Sequence, residues 1–243
     1  MRLSRSQVDR LGERLRGGNI SDDDLRLLDA YRQSFAEPYA EVLAVLRDEL
    51  GLAPTGRLAK STKSIVEKLE RETARLSQMQ DIAGCRVITA DVEEQDRTIQ
   101  AIHARFGDVT VVDRRARPSS GYRAVHMIVA IEPHRVEIQV RTALQQLWAE
   151  LSETLADRFG IAVKYGGGDD VVRELLGATS ESVAEIEAID AALADPDLSP
   201  AALARYPKLA ARVTGLRAER QLHIDQARAL FTRAIANFSA PDP

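Results

Sequence analysis

Two carboxylates, with cations and aromatics spaced around them, carry the chemistry this chain could do. Asp81-Ile-Ala-Gly-Cys-Arg86 and Glu137-Ile-Gln-Val-Arg-Thr142 each place an acid at an apolar run of strand character, and Ser120-Gly-Tyr-Arg-Ala-Val-His126 lies between them. In Val136-Glu-Ile-Gln-Val-Arg141 the period of two sends Val136, Ile138 and Val140 to one face and Glu137, Gln139 and Arg141 to the other. A carboxylate, an amide and a guanidinium projecting together can hold a divalent metal, position a ribose or base, and neutralise phosphate, as phosphoryl-type transfer requires. A solvent-exposed sheet face with an ion pair would show the same pattern. Asp81 supplies a second acid, so that two carboxylates can share Mg²⁺, an ion that takes few protein ligands and favours substrate phosphates. Metal-assisted chemistry on a nucleotide is the expectation.

The elements that must position these residues follow from periodicity and punctuation. Gln7 to Arg16 reads as a helix stopped by Gly17-Gly18-Asn19, and Ser21 followed by Asp24 reads as an N-cap opening a helix to about Phe35. Val42, Leu43, Val45, Leu46 and Leu50 continue helical spacing as far as Gly51, and Pro54-Thr-Gly56 reads as a connector. Ser61 to Leu76 reads as one helix, apolar at Ile65, Val66, Leu69 and Leu76, with Lys60, Lys63 and Lys68 presenting positive charge. Strands are expected at Cys85 to Thr89, Val109 to Val112, Val125 to Ile131 and Arg135 to Val140, with a helix from about Glu93 to Phe106 after the first. Glu132-Pro-His134 suits an antiparallel hairpin between the last two. A helix from Thr142 to about Phe159 ends before the break at Gly166-Gly-Gly168, and an alanine-rich helical tail follows, cut at Pro196, Pro200 and Pro207. The expected fold class is α+β: a mixed, partly antiparallel sheet of about 4–5 strands flanked by helices. The expected segments are a helical 1–50, a core at 51–165 and a helical extension at 166–243.

Composition narrows the classes of function. With 243 residues and 44% hydrophobic content the chain can bury a substantial core. It has no apolar run near the roughly 18–20 residues that span a bilayer and no apolar signal core after its charged start, so no membrane role and a cytoplasmic location are expected. The single cysteine, Cys85, lies in an apolar run and reads as a buried structural thiol. A net charge of −4 confines any nucleic-acid contact to local clusters. One comprises Arg2, Arg5, Arg10, Arg14 and Arg16, which reads foremost as a solvated helix face; the other comprises Arg114, Arg115 and Arg117. Gly51 and Gly56 have the gap of a phosphate-binding loop, but Arg57-Leu58 stands where Lys and Ser or Thr are required. A dinucleotide fingerprint, zinc-ligand spacing among His103, His126, His134 and His223, and a serine nucleophile elbow are all absent.

Taken together, Arg57-Leu-Ala-Lys-Ser61 with Ser64-Ile65 and Lys68, then Asp81-Ile-Ala-Gly-Cys-Arg86, Gly121-Tyr-Arg-Ala-Val-His126, and Glu137-Ile-Gln-Val-Arg-Thr142 with Trp148 resemble the synthetase domain of the RelA/SpoT alarmone family. The blocks stand in the family's order over roughly residues 40 to 165. The resemblance implies a nucleotidyltransferase-like fold and an enzyme that moves the terminal pyrophosphate of ATP onto a ribose 3′-hydroxyl, releasing AMP. It implies that Asp81 holds Mg²⁺ and that Glu137 shares the metal or accepts the proton of the attacking hydroxyl. Arg57, Lys60, Ser61 and Lys68, with Arg86 in support, are then expected at ATP. Tyr122 is expected to stack on the acceptor base, His126, Gln139 and Arg141 to orient acceptor groups, and Arg115 or Arg117 to meet acceptor phosphate.

Two departures bear on the acceptor. The family usually has an asparagine before the Gly-Tyr pair, preceded by lysine and proline, whereas this chain has Arg117-Pro-Ser-Ser120. Its length and histidines also leave no place for the hydrolase domain of the long members, so it is similar to the small stand-alone synthetases. Among these the acceptor is GDP or GTP, giving guanosine alarmones, or, in toxic relatives, the 3′ end of tRNA. A nucleotide-binding regulator without turnover is a reading of another class, against which the presence of both acids counts. The helical extensions leave room for a homo-oligomer or an antitoxin partner.

Overall fold

The computed structural model describes residues 3–195 and 198–239; Arg2 and Pro196 lie outside the described residues. The N-terminal helices start where side chains can satisfy their free amide donors. Helix α1 (Arg5–Arg16) is capped by Ser4 in a reciprocal box with Gln7, and α2 (Asp22–Gln33) by Ser21 with Asp24. Helix α3 (Ala36–Ala44) runs on into a π-helical turn at Val45–Glu49. Leu11, Leu15, Leu28, Phe35, Val42 and Leu46 are buried from these elements. Gly12 permits a close approach, because a Cβ there would lie 2.7 Å from Leu76 Cβ.

Strand β1 (Thr55–Arg57) occupies the stretch expected to be a connector. All three of its residues are exposed, so no apolar alternation signals it, and pairing alone makes it a strand. It runs antiparallel to β2 (Ala83–Thr89), with Gly56 opposite Cys85 and Arg57 opposite Gly84. A Cβ on Gly56 would lie 2.5 Å from Gly84 O, so this pairing requires glycine.

The helix expected from Ser61 to Leu76 is shorter. Helix α4 (Thr62–Arg71) starts at the Ser61 cap and stops where Glu72 turns extended, and Leu76 reaches the core from a 3-10 turn at Leu76–Gln78. Its end is closed from a distance: Arg16 Nε donates to Leu69 O at 2.6 Å, and Arg16 Nη2 donates to Glu72 O at 3.2 Å and Ala74 O at 2.7 Å. Those carbonyls lack helical partners, and one guanidinium fork supplies them.

Helix α5 (Val92–Phe106), β3 (Val109–Asp113), β4 (Val125–Ile131) and β5 (His134–Thr142) complete a five-stranded sheet in the order β1-β2-β5-β4-β3. On β5 the expected alternation is present, with Val136, Ile138 and Val140 fully buried. Helix α6 (Ala143–Phe159) is capped by Thr142. Helices α7 (Asp170–Leu193), α8 (Pro200–Arg205) and α9 (Pro207–Ser239) form the tail, and Pro200 and Pro207 each open a helix, where a missing N–H costs nothing. Among the described residues no helix is long and apolar enough to cross a membrane.

The chain divides into two compact units. The first comprises Met1–Val87, Ala101–Val111 and His126–Gln139; the second comprises Ile88–Gln100, Val112–Val125 and Val140–Pro243. Trp148, Leu151, Leu155, Leu176, Ile186 and Phe231 are among the side chains that build the core of the second, where α6, α7 and α9 pack together.

Candidate active site

The two acids and the cations around them lie in the first unit. Asp81 precedes β2, where β1 and α4 each deliver a lysine to it. Lys60 follows β1 and is anchored by its own N–H, which donates to Ile82 O at 2.7 Å. Its Nζ lies 2.6 Å from Asp81 Oδ2, and Lys68 Nζ, from α4, lies 2.9 Å from Oδ1. Burial alone would push the Asp81 carboxyl up, but the charges and hydrogen bonds of Lys60 and Lys68 outweigh it and hold the carboxyl at about 2. Asp81 is therefore ionised throughout the neutral range.

Glu137 projects from β5 with its side chain 12% exposed. Its Oε1 lies 2.7 Å from Nδ1 of His126 on β4, and its Oε2 accepts from Gln139 Nε2 at 2.7 Å. Burial works to raise its pKa, while the contacts with His126 and Gln139 prevail and lower it. The charge of Asp81 acts in the opposite direction on Glu137, which places the two carboxylates within electrostatic reach of each other. Gly84 of β2 lets β5 approach closely: a Cβ there would lie 3.1 Å from Glu137 O. Both acids offer oxygen donors of the kind Mg²⁺ takes, and a two-carboxylate site leaves the remaining positions to water and phosphate oxygens. The donor chemistry fits that ion.

The other residues expected at ATP sit on the same elements. Arg57 is exposed on β1 and Arg86 half-buried on β2. The Ser61 hydroxyl is engaged locally, accepting from Ser64 N at 3.2 Å and donating to Ser64 Oγ at 2.8 Å. It caps α4, whose N-terminal amides form an anion-attracting end.

Of the residues expected at the acceptor, Tyr122, Arg115, Arg117 and Arg141 belong to the second unit. Tyr122 closes a tight turn with Ser119, across which Tyr122 N donates to Ser119 O at 3.0 Å. Ser120 and Gly121 have φ of 52° and 85°. Two successive left-handed residues form the kind of turn that favours Asn-Gly, so serine replaces asparagine here without loss of the turn. Arg141 Nη2 donates to Tyr122 Oη at 2.8 Å, with its guanidinium carbon 5.2 Å from the ring centroid. Arg141 is buried, packed under Tyr122 and bonded to Gln146 Oε1 at 2.9 Å. Its expected open face is therefore closed at that position. Arg115 is folded onto Asp113, Asp96 and Gln95, leaving Arg114 and Arg117 as the exposed cations of that cluster. In the N-terminal cluster Arg14 pairs with Asp24 at 2.6 Å and Arg16 closes α4, so two of its arginines are structural.

A cavity of about 610 Å³ also lies in the first unit, lined by Tyr31, Phe35, Ser77 and His134 among others, and neither acid borders it. Gly84 was not expected as a site residue, nor were Ser180 and Glu187 of α7, which hold the Tyr122 turn. Gly84 stands inside the Asp81–Arg86 block, whereas no motif marks Ser180 or Glu187.

Residues 56–156 match the family described as "Region found in RelA / SpoT proteins". An uncharacterized protein of Mycobacterium tuberculosis is 38% identical over 178 residues, 67% of this chain and 62% of that protein, so the chain spans less than two thirds of that relative's length. GTP pyrophosphokinase YjbM of Bacillus subtilis is 34% identical over 149 residues, 55% of this chain and 67% of that protein. Among solved structures, small alarmone synthetase 1 from Bacillus subtilis bound to its product pppGpp superposes with a TM-score of 0.54 at 27% identity, covering 71% of this chain and 97% of that one. These likenesses agree, and the chain belongs to the RelA/SpoT family.

Proposed function

We propose that this chain is an ATP pyrophosphokinase that transfers the β,γ-pyrophosphate of ATP to the ribose 3′-hydroxyl of GDP or GTP. The acceptor oxygen attacks the β-phosphorus, the bond from that phosphorus to the α–β bridging oxygen breaks, and AMP leaves. The observation that carries this reading is the partly buried, ionised Asp81 clasped by Lys60 and Lys68, within electrostatic reach of Glu137.

Asp81 and Glu137 would hold Mg²⁺, which when bound supplies positive charge to the transferring phosphates. Lys60 and Lys68 would neutralise ATP phosphates, with Arg57, Arg86 and the Ser61 end of α4 beside them. Glu137 would also take the proton of the 3′-hydroxyl, and His126 on Oε1 and Gln139 on Oε2 fix the orientation of its carboxylate. Tyr122 stacks on the acceptor base, Arg141 holds the Tyr122 ring, and Arg117 meets acceptor phosphate, as would Arg115 on leaving its carboxylates.

A second reading, transfer to the 3′ end of tRNA, is favoured by the exposed Arg114 and Arg117 near the altered turn. The structural employment of Arg14 and Arg16 removes part of the basic surface that it would use. The two readings separate when γ-labelled ATP and Mg²⁺ are offered with GDP, GTP or deacylated tRNA in turn. Label in a guanosine nucleotide supports the first reading and label on tRNA alone the second. ATP bound with no label transferred to any acceptor contradicts both and supports a silent regulator.

A further inference from the structure

The turn that carries Tyr122 is gripped by a helix outside the family-matched residues. Ser180 Oγ of α7 donates to Gly121 O at 2.7 Å. Trp148 Nε1 of α6 donates to Leu176 O of α7 at 3.0 Å, which sets the indole against the turn. The space there is full: a Cβ on Gly121 would lie 2.8 Å from Trp148 Cζ2 and 3.2 Å from Ser180 Cβ. On the far side of Tyr122, Arg123 Nε donates to Glu187 Oε2 at 3.0 Å, and Arg123 Nη2 contacts the same oxygen. Glu187 Oε1 accepts from Gln145 Nε2 at 2.7 Å, so both carboxylate oxygens are bound. All these residues lie in the second unit.

The arrangement is expensive to keep for stability alone. A buried ion pair loses about as much solvation as it gains in attraction, so Arg123–Glu187 adds little to folding. Two successive residues with positive φ, one of them not glycine, persist only where their surroundings over-determine them. Fixed on both flanks, the turn can hold Tyr122 in one orientation, and a stacking platform needs that orientation more than it needs additional contacts.

We propose that α7 sets the geometry of the acceptor site, with Ser180 and Glu187 as positioning residues that act through Gly121 and Arg123 on Tyr122. This rests on the reading that Tyr122 binds the acceptor base. The tail is then part of the specificity machinery for a guanine nucleotide, acting through the turn.

Trp148 is the one tryptophan in the chain, so its emission reports on this turn without requiring turnover. GDP, GTP and deacylated tRNA are titrated into full-length wild type, Ser180→Ala, Glu187→Gln and, as a control on an exposed position of the same helix, Glu185→Gln. Michaelis constants for ATP and acceptor are measured alongside. The expected result is an acceptor Kd and KM raised about fivefold or more in Ser180→Ala and Glu187→Gln, the loss from one buried hydrogen bond. The KM for ATP stays within about twofold, and Glu185→Gln behaves as wild type. Unchanged acceptor constants in both variants, or ATP and acceptor constants worsening together with a lowered melting temperature, would overturn the inference alone. A wild type whose emission answers to none of the three acceptors would overturn the acceptor reading itself.

Discussion

His126 Nδ1 lies 2.7 Å from Glu137 Oε1, joining neighbouring strands β4 and β5 through the acid proposed for proton transfer or metal binding. Gln139, two residues on and therefore on the same face, takes the other oxygen. His126→Ala is expected to lower kcat about tenfold to hundredfold, the usual effect of removing a residue that orients a functional group. A kcat within about twofold of wild type, with a normal melting transition, would remove His126 from that role.

Asp81 makes stability depend on acid in a defined window. Its carboxyl titrates at about 2 when folded against 3.8 as an ordinary side chain. A lowered folded pKa contributes stability that is full above about 4 and is lost as pH falls toward 2, on the order of 2 kcal/mol. Melting temperature measured from pH 6 to pH 2 is expected to fall less steeply in Asp81→Asn than in wild type over that window. Parallel curves would show that the two lysines do not hold the carboxylate in solution.

The alternation of β5 and its two neighbouring polar positions was legible because a half-buried strand writes a period of two into the sequence. Ser21 was legible as a cap and Ser61 as a helix start, since caps are local, whereas Ser4, which caps α1 ahead of the expected Gln7 start, was not. The rest was set by distant partners. Arg16 closes α4 across more than fifty residues, and Arg123 meets Glu187 across 64, separations at which nothing in the local pattern selects a partner. The period of two predicts Arg141 on the polar face of its strand, and in the structure it is buried because Tyr122 and Gln146 of α6 pack against it.

Tyr122 has two contacts that substitution can separate. Tyr122→Phe keeps a ring to stack but loses the hydroxyl that accepts from Arg141. Tyr122→Ala loses both, and base stacking on an aromatic contributes about 1–3 kcal/mol. The acceptor KM is expected to rise about tenfold or more in Tyr122→Ala and to change less in Tyr122→Phe, with the KM for ATP unchanged in both. If ATP affinity falls while the acceptor KM holds, the stacking role is wrong.

The β1–β2 pairing tolerates no side chain at Gly56, where a Cβ would meet Gly84 O at 2.5 Å and Cys85 Cα at 2.6 Å. Backbone atoms cannot yield as a flexible side chain would. Gly56→Ala is expected to cost about 1–3 kcal/mol, as overpacking does, and to lower the melting temperature by several degrees. It should also raise the KM for ATP, because Arg57 and Lys60 follow directly on this strand. An unshifted melting transition would show that β1 does not pair as described.

The most direct measurement of the central proposal is the ratio of AMP formed to label transferred, with γ-labelled ATP, Mg²⁺ and a guanosine nucleotide, in wild type and in Glu137→Gln. Pyrophosphate transfer predicts one AMP for each labelled acceptor in wild type, and loss of both products in Glu137→Gln while ATP still binds. ADP in place of AMP, or undiminished transfer by Glu137→Gln, would contradict it.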